Sequence, residues 1–184
     1  MSDISHFLFE PYSSYSILNI VLEIIAVILG FLSVWYSKNN SVLVYPTGMI
    51  STSIYVYLLL SVGLIGDMLI NGYYFFMSIY GWYYWTQSLN GFYINPISRM
   101  NSNEYLISIL LFVFAIIFVF AVYFNFNMWN SIIAYIDTVT TAIFFVGMWL
   151  MARRKIENWL FWIIGDIISI PLYLYKGMAI TSFQ

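Results

Sequence analysis

The chain has 184 residues, 62% of them hydrophobic and only 8% charged, with a net charge of −2. A soluble domain carries about 25% charged residues, so most of this surface is expected to meet lipid, and with no basic excess no nucleic-acid partner is expected. The lack of Cys removes disulfides, thiolate metal sites and cysteine nucleophiles, and a single His6 leaves little for His-based metal sites or triad chemistry.

The N-terminal leader is acidic (Asp3, Glu10) where a signal peptide would be basic, and no small-residue cleavage site follows the first apolar run. That run therefore reads as a retained membrane helix. Spanning the hydrocarbon layer takes about 20 apolar residues, and six segments qualify: 17–36, 42–62, 68–89, 105–123, 128–152 and 158–175. The fold expected is an all-α membrane protein forming a single integral membrane domain over 1–184. Within it lie a front block of three helices (17–89), a linking helix (105–123) and a back block (128–184). The stretch 90–103, with Gly91, Pro96 and several Asn and Ser, is the only linker of any length.

Lys38 follows the first helix, Arg99 the third, and Arg153, Arg154 and Lys155 the fifth, so the basic loops share one side. Excess Lys and Arg mark the cytoplasmic side, which places the N-terminus outside. Glu23 and Trp35 are twelve residues apart, as are Asp137 and Trp149, at an offset of 114 that also relates Phe31 to Phe145. Each pair leads into a short loop with Lys or Arg, then an aromatic-led helix ("VYPTGM" in front, "FWIIGD" behind). Repeats of this kind mark transporters, whose substrate sites lie between the repeats near the bilayer midplane. The back block stops at "KGMAITSFQ", where the counterpart of the third helix should begin, so a seventh helix is expected to be absent from this chain.

An ionisable group at a helix centre costs about 2.5–3.5 kcal/mol to insert and is a functional candidate by default. Glu23, Asp137 and Asp166 qualify, whereas Asp67 is expected to sit wet at a helix end. The alternative for each is an interhelical hydrogen bond to Ser, Thr or Tyr. Asp137 shares its face with Thr140 and Thr141. In "NGYYFFMSIYGWYYW", Asn71, Tyr74, Ser78, Trp82 and Trp85 recur at helical spacing. Asn158, Trp159, Trp162, Asp166, Ser169 and Tyr173 do much the same in the last helix. Trp85, Trp129 and Trp159, near helix ends, also suit an interfacial aromatic belt. Tyr74, Trp162 and Tyr173 lie deeper, where O–H and N–H groups need polar partners. Aromatic faces beside carboxylates that no Lys or Arg within the spans offsets suit a flat organic cation.

These residues resemble the PnuC-type family of vitamin transporters that take up nicotinamide riboside. The resemblance rests on Asn71-x-x-Tyr74, on "YGWYYW" with Trp82-x-x-Trp85, and on "ENWLFWIIGDIISIPLYLYKG" with Trp159-x-x-Trp162 and Asp166. It implies a SWEET-like arrangement of 3+1+3 helices in two parallel repeats, in a homotrimer in the bacterial inner membrane. It also implies facilitated diffusion, with trapping by cytoplasmic phosphorylation, and neither cofactor nor catalytic residue. Carried over onto this chain, Trp82, Trp85, Trp159 and Trp162 would stack on or gate the solute. Asn71, Tyr74 and Asp137, with Asp166 and Tyr173, would line its site. Similar families carry thiamine, riboflavin or deoxynucleosides; a membrane enzyme or a non-transporting scaffold subunit are the readings from other classes.

Overall fold

The computed structural model describes residues 16–61, 63, 65–89, 92–127, 132–175 and 182. The expectations attached to His6, Val62, Gly91, Met128, Trp129 and Lys176 lie outside them. Six helices are described: α1 (Ile17–Lys38), α2 (Val44–Ser61), α3 (Ile65–Thr86), α4 (Ser102–Asn125), α5 (Ile132–Ala152) and α6 (Asn158–Tyr175). A two-stranded hairpin, β1 (Ser88–Leu89) and β2 (Phe92–Tyr93), interrupts the linker.

Local sequence accounts for the helix starts. Ser16 caps α1 by accepting from the Asn19 amide at 3.2 Å. Asn101 and Glu104 close a reciprocal capping box on α4. Pro46 falls in the first turn of α2, where an N–H has no helical partner to lose. Helix α3 begins at Ile65, a turn earlier than its hydropathy predicts, because "IGD" joins it.

Among the described residues, α1, α4, α5 and α6 are long and apolar enough to cross a membrane. Helices α2 and α3 have similar length but fall short in hydropathy, because they carry Ser51, Thr52, Asn71 and many tyrosines. Helix α2 packs between α1 and α3; α5 packs against α4, α6 and α3, and so joins the two halves. Tyr73 stitches that junction: its ring stacks on Phe145 at 3.9 Å, and its hydroxyl donates to the Phe145 carbonyl at 3.0 Å. The outer faces are apolar throughout; Ile109 and Ile117 of α4 are 61% and 62% exposed. That is stable only in a solvent as apolar as the side chains.

The α1–α2 hairpin repeats in α5–α6 at the offset read from sequence. Helix α1 ends at Lys38 and α5 at Ala152; α2 and α6 each run 18 residues, from Val44 and from Asn158. In the first turn the amides of Asn39, Asn40 and Ser41 donate to the carbonyls of Trp35, Ser37 and Tyr36. In the second, Arg153, Arg154 and Lys155 donate to Trp149, Met151 and Leu150, the same pattern 114 residues on. Asn40 and Arg154 take the left-handed conformation at φ 52° and 58°. The two turns share a backbone although only a few side chains agree.

A cavity between two helical hairpins

A cavity of about 430 Å³ lies between these hairpins and α3, within the range of small-molecule sites. Helix α4 contributes nothing to its wall. One end is acidic: Asp67 in the first turn of α3, Asp137 near the start of α5 and Tyr173 at the end of α6. The other lies against the basic turns, with Ser37, Val44, Met151 and Trp159.

Aromatic rings meet between the ends. Trp162 lies edge-on to Tyr74 at 5.8 Å and tilted against Phe144 at 5.5 Å. Gly147 lets α6 pack closely beside this ring, since a Cβ there would meet the Phe161 Cβ at 3.2 Å. Opposite, Gly30, Gly48 and Thr52 supply little bulk. Hydroxyls along α1 and α2 are used inward: Ser51 donates to the Ala26 carbonyl at 2.8 Å and Ser33 to that of Val44 at 2.8 Å. These bonds fix the hairpin and satisfy groups that lipid could not.

The carboxylates are held by tyrosines. Tyr173 donates to Asp67 at 2.9 Å, bridging α6 to α3 across the acidic end. Tyr123 of α4 donates to Asp137 from outside the cavity. Asn71 donates to the Asp67 carbonyl at 2.9 Å, which orients its amide. Asp166 lines the cavity and is itself exposed. No group of three or more His, Asp or Glu among the described residues comes together to hold a metal ion.

Of the residues singled out in the sequence, Asn71, Tyr74, Asp137, Trp159, Trp162, Asp166 and Tyr173 line this cavity. Trp82 and Trp85 do not. The inward seam of α3 runs through Asp67, Asn71, Tyr74, Ser78, Gly81 and Trp85, alternating steps of 4 and 3. At about 100° per residue, Trp82 falls to the side of that seam and is 41% exposed. Trp85 stays on the seam beyond the cavity. It is 5% exposed, edge-on to Tyr45 at 5.2 Å, and donates to the Met151 carbonyl at 3.3 Å. Asp67, expected to be wet, is 5% exposed and on the cavity wall. Glu23 is buried away from the wall.

Sequence reasoning missed Phe144, Gly30, Gly48 and Thr52. The offset of 114 could have found two of them, since it pairs Gly48 with Trp162 and Thr52 with Asp166, whereas Gly30 pairs with Phe144, itself missed. It also missed what the basic turn does. Lys155 pairs with Glu104 at 2.9 Å and donates to Ser98 at 2.9 Å. Arg153 lies 4.7 Å from the Tyr84 ring, and Glu157 accepts from the Met100 amide. The linker after α3 is thereby strapped to the α5–α6 turn.

A family model described as nicotinamide mononucleotide transporter matches residues 20–184. The nicotinamide riboside transporters PnuC of Escherichia coli (strain K12) and of Shigella flexneri are each 20% identical over 193 residues, covering 89% of this chain and 78% of theirs. A crystal structure of the vitamin B3 transporter PnuC superposes with a TM-score of 0.66 at 22% identity, covering 88% of this chain and 74% of that one, a likeness of fold. The chain is an integral membrane protein of the nicotinamide mononucleotide transporter family, a family of transporters rather than enzymes.

Proposed function

We propose that the chain carries nicotinamide riboside across the membrane by facilitated diffusion. The observation that carries this is the charge of the cavity wall. Asp67, Asp137 and Asp166 line it, and no Lys, Arg or His does among the described residues. The riboside bears a pyridinium cation and neutral hydroxyls, which suit carboxylates and the Tyr74–Phe144–Trp162 rings. The mononucleotide of the family's description adds a phosphate, which would enter a low-dielectric space beside three carboxylates with nothing to pair it. The relatives from Escherichia coli and Shigella flexneri are riboside transporters by name.

The site residues we assign are Asn71, Tyr74, Asp137, Trp159, Trp162, Asp166 and Tyr173, with Asp67 and Phe144 added. The architecture follows the same reading: parallel repeats of SWEET-like 3+1+3 type, with α1–α3 as the first and α5–α6 within the second. The matching turns support it, as does α4, which lines no part of the cavity between the hairpins. With the basic turns cytoplasmic, the N-terminus faces outward and the acidic end receives the solute. Phosphorylation in the cytoplasm traps it there, because the phosphate cannot pass back along the same wall. The homotrimer is proposed on the resemblance, with the little-buried α4 free to meet lipid or another copy.

Proteoliposomes containing the chain, loaded with unlabelled riboside, test the function by counterflow. Labelled riboside should accumulate, and excess mononucleotide should not compete. Inhibition by mononucleotide as strong as by riboside would overturn the assignment.

A further inference from the structure

Asn40 and Arg154 occupy equivalent positions in the two repeated turns, and they touch: the Arg154 Nη2 donates to the Asn40 Oδ1 at 3.0 Å, across 114 residues. Arg154 is 4% exposed. Its guanidinium lies 4.6 Å from the ring centroids of both Trp85 and Tyr93, and Nη1 donates to the Asn95 carbonyl at 2.8 Å. One side chain thus joins the α1–α2 turn, the end of α3 and the linker hairpin to the α5–α6 turn. All of this lies over the basic end of the cavity, beside Ser37 and Met151.

Two features distinguish this cluster from a fixed pillar. Arg154 holds a φ of 58°, a region that Asn40 tolerates and a long side chain does not favour. Its Nε is buried without a partner, although both terminal nitrogens donate. A buried donor left unpaired and a strained backbone both raise the energy of the closed arrangement. An arrangement held by strong contacts yet carrying strain can exchange with an open one.

We propose that Arg154 is the gating residue at the basic end of the solute path, latching the two repeated turns together when that end is shut. Opening separates the α5–α6 turn from the α1–α2 turn, breaks the bond to Asn40 and withdraws the guanidinium from between Trp85 and Tyr93. Arg153 and Lys155 instead hold Glu104 on α4, with Arg153 also meeting Tyr80 and Tyr84 of α3 and Lys155 meeting Ser98, so among the described residues Arg154 is the basic side chain of this turn that bonds to the α1–α2 turn. The sequence signal for Arg154 was only its charge.

The inference rests on the cavity being a solute path. Because the chain has no Cys, a Ser37→Cys variant gives a single reporter at the basic end. The full chain in proteoliposomes is treated with a membrane-impermeant thiol reagent on each face in turn, without solute. Adding Arg154→Gln should speed labelling from one face about tenfold, the size of a minor state made common. Adding Asn40→Asp puts a carboxylate opposite the guanidinium, in a residue that also tolerates positive φ. It should slow labelling from that face and slow riboside counterflow. Opposite signs for the two variants are required, since a merely structural role would give none. Unchanged labelling, or the same sign in both, overturns the latch; if Arg154→Gln fails to fold, Asn40→Asp decides by slower labelling against unchanged or faster. Failure of riboside counterflow in the unsubstituted chain would instead fail the transport reading, with labelling still reporting the latch.

Discussion

Hairpin α1–α2 meets the cavity with Gly30, Gly48, Thr52 and Leu59, where hairpin α5–α6 presents Phe144, Trp162, Asp166 and Tyr173 at the equivalent positions. The backbone hydrogen bonds of the two turns correspond one for one. The two hairpins therefore share a turn geometry and differ in the side chains they bring to the cavity. At these four pairs the front copy leaves space and the back copy carries the rings and the carboxylate, whereas at the pair between the last two the order reverses, Tyr55 of α2 matching Ser169 of α6. In the proposed site, a solute between the two hairpins would meet the indole and the carboxylate from the back hairpin and mostly small or hydroxylic residues from the front one.

The strongest way to break the contrast is to give the front hairpin the back hairpin's bulk. Gly48→Trp would put an indole into the space facing Trp162. A Cβ at Gly48 first meets the Ser33 hydroxyl at 3.1 Å, which must shift by a few tenths of an ångström while keeping its bond to the Val44 carbonyl. Counterflow should fall to background while the protein still purifies as a folded species, which size-exclusion chromatography checks. Removing bulk from the back hairpin comes next. Trp162→Ala deletes the ring that packs on Tyr74 and Phe144, and riboside binding by titration calorimetry should weaken about thirtyfold, for a stacking and cation–π loss of about 2 kcal/mol.

Charge is the next distinction. Asp67→Asn keeps an acceptor for the Tyr173 hydroxyl and removes the negative charge. The unsubstituted chain should prefer the riboside over its reduced, uncharged dihydro form. In Asp67→Asn that preference should shrink about tenfold, the loss of about 1.4 kcal/mol of attraction in a partly wet cavity. Equal loss for both forms would mean that Asp67 acts through the Tyr173 bond alone. The smallest effect is expected at Trp82. Its ring faces outward, and Trp82→Ala should leave binding within about twofold, as for exposed substitutions generally.

Much of this molecule was readable beforehand, for identifiable reasons. Helices α1, α4, α5 and α6 follow from apolar length, α2 and α3 from similar length with weaker hydropathy, and the stripes on α3 and α6 follow from helical spacing. Tyr74 and Trp162 meet because those stripes face each other. Asp67 was misplaced because hydropathy started α3 at Met68, which left it outside the helix; "IGD" adds the first turn and carries Asp67 onto the inward seam. Helical spacing groups Trp82 with the wall because it tolerates a deviation that packing does not, and Trp85 because spacing along a seam does not show where the cavity ends. Arg154 then claims Trp85, a tertiary contact invisible in local pattern. Gly30 and Gly48 carry no chemical signature, so only their repeat partners identify them. The repeat itself showed in three side-chain coincidences, while its best witness, the hydrogen bonding of two turns, lies in the backbone, where "KNNS" and "ARRK" fold alike.

The most direct test is a binding competition on the purified chain among nicotinamide riboside, thiamine and nicotinamide mononucleotide, repeated with Gly48→Trp. The account predicts saturable riboside binding that mononucleotide does not displace and that Gly48→Trp abolishes. Tight thiamine binding with none for the riboside, or riboside binding that survives Gly48→Trp, would contradict it.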